Sequence, residues 1–169
     1  MIIIIYLLLH FVYTFVLELM SGKCDRVTKM RRYSFFILSF FSVLTGYVLY
    51  LGWRDVLPSW GFVLHNRECW YFFRHHLGDD IPLPEWVVYS LPQGLWAFGL
   101  SLFMGGIWYT GPHNSGYFWL NISLMLVVLW EVFQRLGYIS GTFCWIDVLT
   151  GICGVGVGVI LFTFKKLES

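Results

Sequence analysis

Charge is scarce in this sequence. Only 12% of its 169 residues are Asp, Glu, Lys or Arg, while 58% are hydrophobic. A soluble domain carries roughly 25% charged residues, so one small water-soluble core could not bury this much apolar surface. The net charge is only +1, which gives no support to a nucleic-acid partner. Cysteine is sparse too. Cys24, Cys69, Cys144 and Cys153 show no CxxC or zinc-ribbon spacing, so inert thiols are expected. A Cys69–Cys144 disulfide stays open if both face an oxidising compartment. Walker A, dinucleotide-glycine and HExxH patterns are all missing, so no cofactor is expected. His65, Cys69, the His75–His76 pair, Asp79 and Asp80 are metal-ligand types. Adjacent histidines rarely point at one ion, and an interfacial polar patch is expected there, with no metal.

What the chain has in abundance is apolar length. Aromatics make up 21%, with nine Trp, as suits rings placed at membrane interfaces. A spanning helix needs about 20 mostly apolar residues. Five segments approach that: 2–20, 35–53, 93–110, 117–136 and 143–164. They are apolar all round, unlike the one-sided helices of a soluble bundle. The fold class expected is therefore all-α: a single domain, 1–169, forming a polytopic membrane bundle of about five helices. The first segment has no basic leader region, and it is read as a retained helix rather than a signal peptide.

The 54–91 stretch is greasy, with Trp60, Phe62, Trp70, Tyr71 and Phe72. It is expected to hold an interfacial or re-entrant segment, and Pro82, Pro84 and Pro92 argue against one continuous helix there. Basic residues set the orientation. Lys23, Arg26, Lys29, Arg31 and Arg32 follow the first segment, and Lys165 and Lys166 close the last. Lys and Arg favour the cytoplasmic side, so the N-terminus is expected outside and the C-terminus inside.

Against this background, Glu131, Gln134, Arg135 and Asp147 stand out. Glu131, Gln134 and Arg135 share a helix face at the outer end of the fourth segment. Asp147 opens the fifth, across a turn of a few residues. Asp147, Gly151, Gly154 and Gly158 fall on one face, where small residues let helices approach closely. An Asp pointing into such a contact needs a partner, and Arg135 is the obvious one. Two readings follow: a buried ion pair fixing helix register, or a polar pocket receiving an amphiphile. In the second, Arg135 meets an anionic group, Gln93 joins from the third segment, and Trp96 and Trp145 wall the site. The Gly99-x-Ser101 pattern could suggest a serine nucleophile, but no histidine is suitably placed, so small-residue packing is expected.

Glu131-x-x-Gln134, a Gly-containing turn, then Gly141-Thr142-Phe143-x-Trp145-Ile146-Asp147 and Gly151 resembles the VanZ-like membrane proteins. Ser90-Leu91-Pro92-Gln93-Gly94-Leu95-Trp96-Ala97 is similar to the Leu-Pro-Asp-x-Leu-Trp helix start of related small bacterial proteins, with Gln93 in place of Asp. The resemblance covers roughly 91–159. It implies a bacterial cell-envelope protein of the cytoplasmic membrane, from a family associated with glycopeptide antibiotic tolerance and with no settled reaction. The function expected is binding of a lipid or lipid-linked ligand, without catalysis. Two alternatives are a membrane-embedded hydrolase or transferase of lipid-linked substrates, and an interaction subunit that packs its glycine face against a membrane-protein partner or a second copy.

Overall fold

In the computed structural model, residues 26–53, 68, 71–72, 74–78, 83–110, 113–139 and 142–167 are described. The first expected span, 2–20, and most of the 54–84 stretch lie outside them, including His65, Cys69, Asp79 and Asp80. All regular structure among the described residues is helical: α1 (Arg26–Trp53), a π-helical turn (Arg74–Gly78), α2 (Glu85–Tyr89), α3 (Leu91–Ile107), a 3-10 turn (Trp108–Thr110), α4 (His113–Arg135) and α5 (Trp145–Leu167). Four stretches are long and apolar enough to cross a bilayer: Arg26–Trp53, Glu85–Ile107, Gly116–Arg135 and Trp145–Phe164.

The boundaries differ from the sequence reading in instructive ways. α1 starts at Arg26, not at residue 35, so Arg26, Lys29, Arg31 and Arg32 are helical rather than a loop. Lys and Arg are good helix formers. Twenty-eight residues rise about 42 Å, enough to carry a charged turn beyond the hydrocarbon. The third crossing begins at Glu85, because its prolines sit where helices accept them. Pro84 is the N-cap of α2, and Pro92 lies in the first turn of α3. Ser90 bridges the two pieces: its N–H donates to the Trp86 carbonyl at 3.0 Å, and its carbonyl accepts from Gly94 N–H at 3.3 Å. α4 begins at His113. The GPHNSG linker is therefore partly helix, which its polar residues conceal from a hydropathy reading.

α3 is the central helix, packed on α1, α4 and α5. Against antiparallel α1 it presents backbone. Ser39 and Ser42 donate to the carbonyls of Gly99 (2.7 Å) and Leu95 (2.8 Å). Such interhelical bonds contribute about 0.6 kcal/mol each. Gly46 lies beneath the Trp96 ring, and Gly99 against Val43. Arg32 is 3% exposed, and its Nε donates to the Gly106 carbonyl at 3.2 Å. A cation thus caps the C-terminal turn of α3, where the helix dipole is negative.

α5 runs parallel to α3, with Gly154 against the Gly94 carbonyl and Gly158 against the Ser101 hydroxyl. One turn further on, Phe162 wedges between Gly105 and Gly116. It forms a core with Phe35, Leu102, Tyr109 and Leu120. Ile37, Phe40, Met125, Leu149 and Ile160 point outward, as residues facing lipid would. Some polar groups inside the helices are satisfied locally. Asn121 donates to the Tyr117 carbonyl at 2.8 Å, and Thr45 to that of Phe41 at 2.8 Å, an alternative to water in a dry environment.

Candidate functional site

The α4–α5 junction is built by its turn. Gly137 is left-handed at φ 76°, a conformation glycine adopts without steric cost. Tyr138 N–H donates to Phe133 O at 2.9 Å, and Gly137 N–H to Gln134 O at 3.1 Å. The Tyr138 ring then packs edge-on against Phe133 at 6.2 Å. This is a Schellman stop with its hydrophobic contact. It returns the chain so that the last turn of α4 faces the first turn of α5.

Glu131 is 2% exposed. Its Oε2 accepts the backbone N–H of Cys144 at 3.4 Å, the residue immediately before α5. One helix therefore lends a carboxylate to the N-terminus of the next, where unpaired N–H groups and the dipole favour negative charge. Gln134 completes the tie. With its amide oriented to satisfy both ends, it donates to Glu131 Oε2 at 3.2 Å and accepts Trp130 Nε1–H at 3.2 Å. Asp147 stands in the first turn of α5, within electrostatic range of Glu131. Its Oδ1 is buried with no hydrogen-bond partner.

Arg135 does not fill that vacancy. It is exposed, and its guanidinium lies over the Phe143 ring, 5.2 Å from the centroid. Among the described residues no ion pair joins it to Asp147, so the expected pair is absent. The reason is geometric: Arg135 ends α4 and turns outward past the Schellman stop, where a cation is better hydrated. The pocket walls change as well. Trp96 packs on α1, 5.4 Å from Tyr50 and over Gly46. Trp145 is 66% exposed and edge-on to Phe143 at 5.0 Å, so it covers the outer surface of the junction rather than its interior.

Gln93 is half-buried, one turn from Ala97 on the same face of α3. Ala97 clusters with Val127 and Val155. Gln93 and Glu131 therefore each stand one turn beyond this packed layer, and Asp147 stands about two turns before Val155, on three different helices. Thr150 was not anticipated. Its hydroxyl lies 3.0 Å from the Ser90 carbonyl and 3.1 Å from the Asp147 carbonyl, joining the α2–α3 bend to the first turn of α5. Its position three residues after Asp147 was the available signal.

Gly151 packs on Val127 of α4, while Gly154 and Gly158 pack on α3. These three glycines are thus packed within the chain. Ser101 is fully buried and donates to the Phe98 carbonyl at 2.8 Å, a packing residue. Cys144 and Cys153 carry free thiols, and Cys69 lies outside the described residues. No group of three metal-ligand side chains occurs among the described residues. No family model, no curated protein and no solved structure matches this chain.

Proposed function

We propose that this is a multi-pass protein of the bacterial cytoplasmic membrane that binds a lipid or lipid-linked amphiphile at the α4–α5 junction. The reading carries over the VanZ-like resemblance of residues 91–159. One observation carries it furthest: the buried, unpartnered Oδ1 of Asp147 beside the buried Glu131. A desolvated carboxylate oxygen without a donor is costly, and ionisable groups at membrane depth mark ligand paths more often than architecture. A hydroxyl- or amine-bearing headgroup would supply the missing donor. Arg135, held at the surface over Phe143, would meet the phosphate.

The topology proposed has five spans, the first formed by 2–20, with the N-terminus outside. Its support is the arrangement of the bundle. α1 and α3 are antiparallel and α3 and α5 parallel, so the basic start of α1 and Lys165–Lys166 share one end. The carboxylates sit at the other. By the positive-inside rule the first end is cytoplasmic and the site opens outward. The same unsatisfied oxygen would suit a general base, and turnover of a lipid-linked substrate would separate an enzyme from a binder.

The test is lipid identification by native mass spectrometry on the protein purified in mild detergent. Wild type should retain one lipid class that both Asp147→Asn and Arg135→Gln release, each variant shown folded by circular dichroism. Identical mixed lipids on all three proteins would make the cluster architectural.

A further inference from the structure

A shallow hollow at the same end of the bundle is lined by Glu68, Tyr71, Phe72, Arg74, His75 and His76, none of which belongs to the α4–α5 site. Its nitrogens are held in place. Arg74 Nη1 donates to the Trp53 carbonyl at 2.8 Å, capping the last turn of α1 and fixing the guanidinium at the level where a span ends. His76 Nδ1 lies 3.0 Å from the Phe72 carbonyl oxygen. That oxygen can only accept, so Nδ1 carries the proton. The His76 ring also stacks on Phe72, centroids 4.3 Å apart and 27° between planes. Both contacts hold the exposed imidazole at the edge of the hollow. His75, also exposed, meets it edge-on at 5.7 Å. Beside these groups the rings of Tyr71 and Phe72 are 62% and 58% exposed. Solvent-exposed aromatic rings at the end of a span belong at the headgroup boundary.

We propose that this hollow binds the phosphate of an anionic phospholipid, as a second lipid contact distinct from the Asp147 site. Arg74 supplies a fixed guanidinium. His75 and His76 border the phosphate with their imidazole rings. Tyr71 and Phe72 enter the acyl boundary. Among the described residues Glu68 is the one acid lining the hollow.

The experiment uses the full chain in detergent with equal phosphatidylglycerol and phosphatidylcholine of the same acyl composition, read by native mass spectrometry. Wild type should retain phosphatidylglycerol over phosphatidylcholine by about tenfold, and the His75→Asn/His76→Asn double variant by about twofold or less. Both positions are exposed, so the variant folds, and circular dichroism checks it. An unchanged preference in the double variant overturns the proposal. A third arm adds millimolar inorganic phosphate to the wild type. Retention of the lipid is expected, whereas its displacement would identify free phosphate as the ligand and overturn the lipid assignment.

Discussion

Gly154→Ala should collapse the bundle, while Gly156→Ala, two residues away on the same helix, should leave it folded. A Cβ at 154 meets the Gly94 carbonyl and comes within 3.1 Å of Phe98 N, whereas a Cβ at 156 meets nothing. The obstruction at 154 is backbone, so no rotamer change relieves it and α3 and α5 must separate. Overpacking ordinarily costs about 1–3 kcal/mol. A backbone clash at the most closely packed helix pair belongs at or beyond the upper end. At 156 the helix propensity of Ala adds up to about 1 kcal/mol of stability. Gly158→Ala is intermediate, because its obstacle is the Ser101 side chain, and Ser101→Gly should restore that variant. Thermal unfolding in detergent, with gel filtration for monodispersity, reads all four. Equal midpoints for the 154 and 156 variants would mean that the helices do not meet there.

Phe162→Ala should lower stability by about 3–5 kcal/mol, the range for buried aromatic truncation. Phe162 is fully buried. It makes ring contacts with Phe35 (6.4 Å), Tyr109 (6.3 Å) and Tyr117 (5.9 Å), so one side chain links α1, α4 and the 3-10 turn to α5. Gly105 and Gly116 lack side chains that could move into the void, which puts the cost at the high end. Phe162→Leu retains most of the volume and should lose less than half as much. The lipid-facing Phe164, 64% exposed, is the control, and its Ala variant should unfold with the wild type. Loss at 164 equal to that at 162 would place the core elsewhere.

Membrane character and the apolar stretches were legible in composition because hydropathy is additive along the chain. Helix ends were not, because polar and basic residues that continue a helix beyond the hydrocarbon look like loop. The prolines do interrupt the helix as expected, and what the sequence hides is how little they cost: Pro84 caps α2 and Pro92 sits in the first turn of α3. At the site, i to i+3 spacing placed Glu131 beside Gln134. Spacing also put Asp147 across from them. The partners were beyond such reasoning. A backbone N–H at Cys144 leaves no mark in a sequence, and the outward turn of Arg135 follows from the Schellman stop rather than from charge. Arg32 is the sharpest case. It reads as one of several topogenic cations, yet it is buried and caps α3.

The ligand reading of the Asp147 site can be decided by melting. The protein is stripped of lipid, then given back the class that it retained on purification, in excess over the dissociation constant. A hundredfold excess adds about 2.7 kcal/mol to a folded state that binds. Wild type should gain several degrees in its unfolding midpoint, and folded Asp147→Asn should gain none. If both proteins shift equally, or neither shifts, the buried carboxylates hold α4 to α5 and receive no ligand.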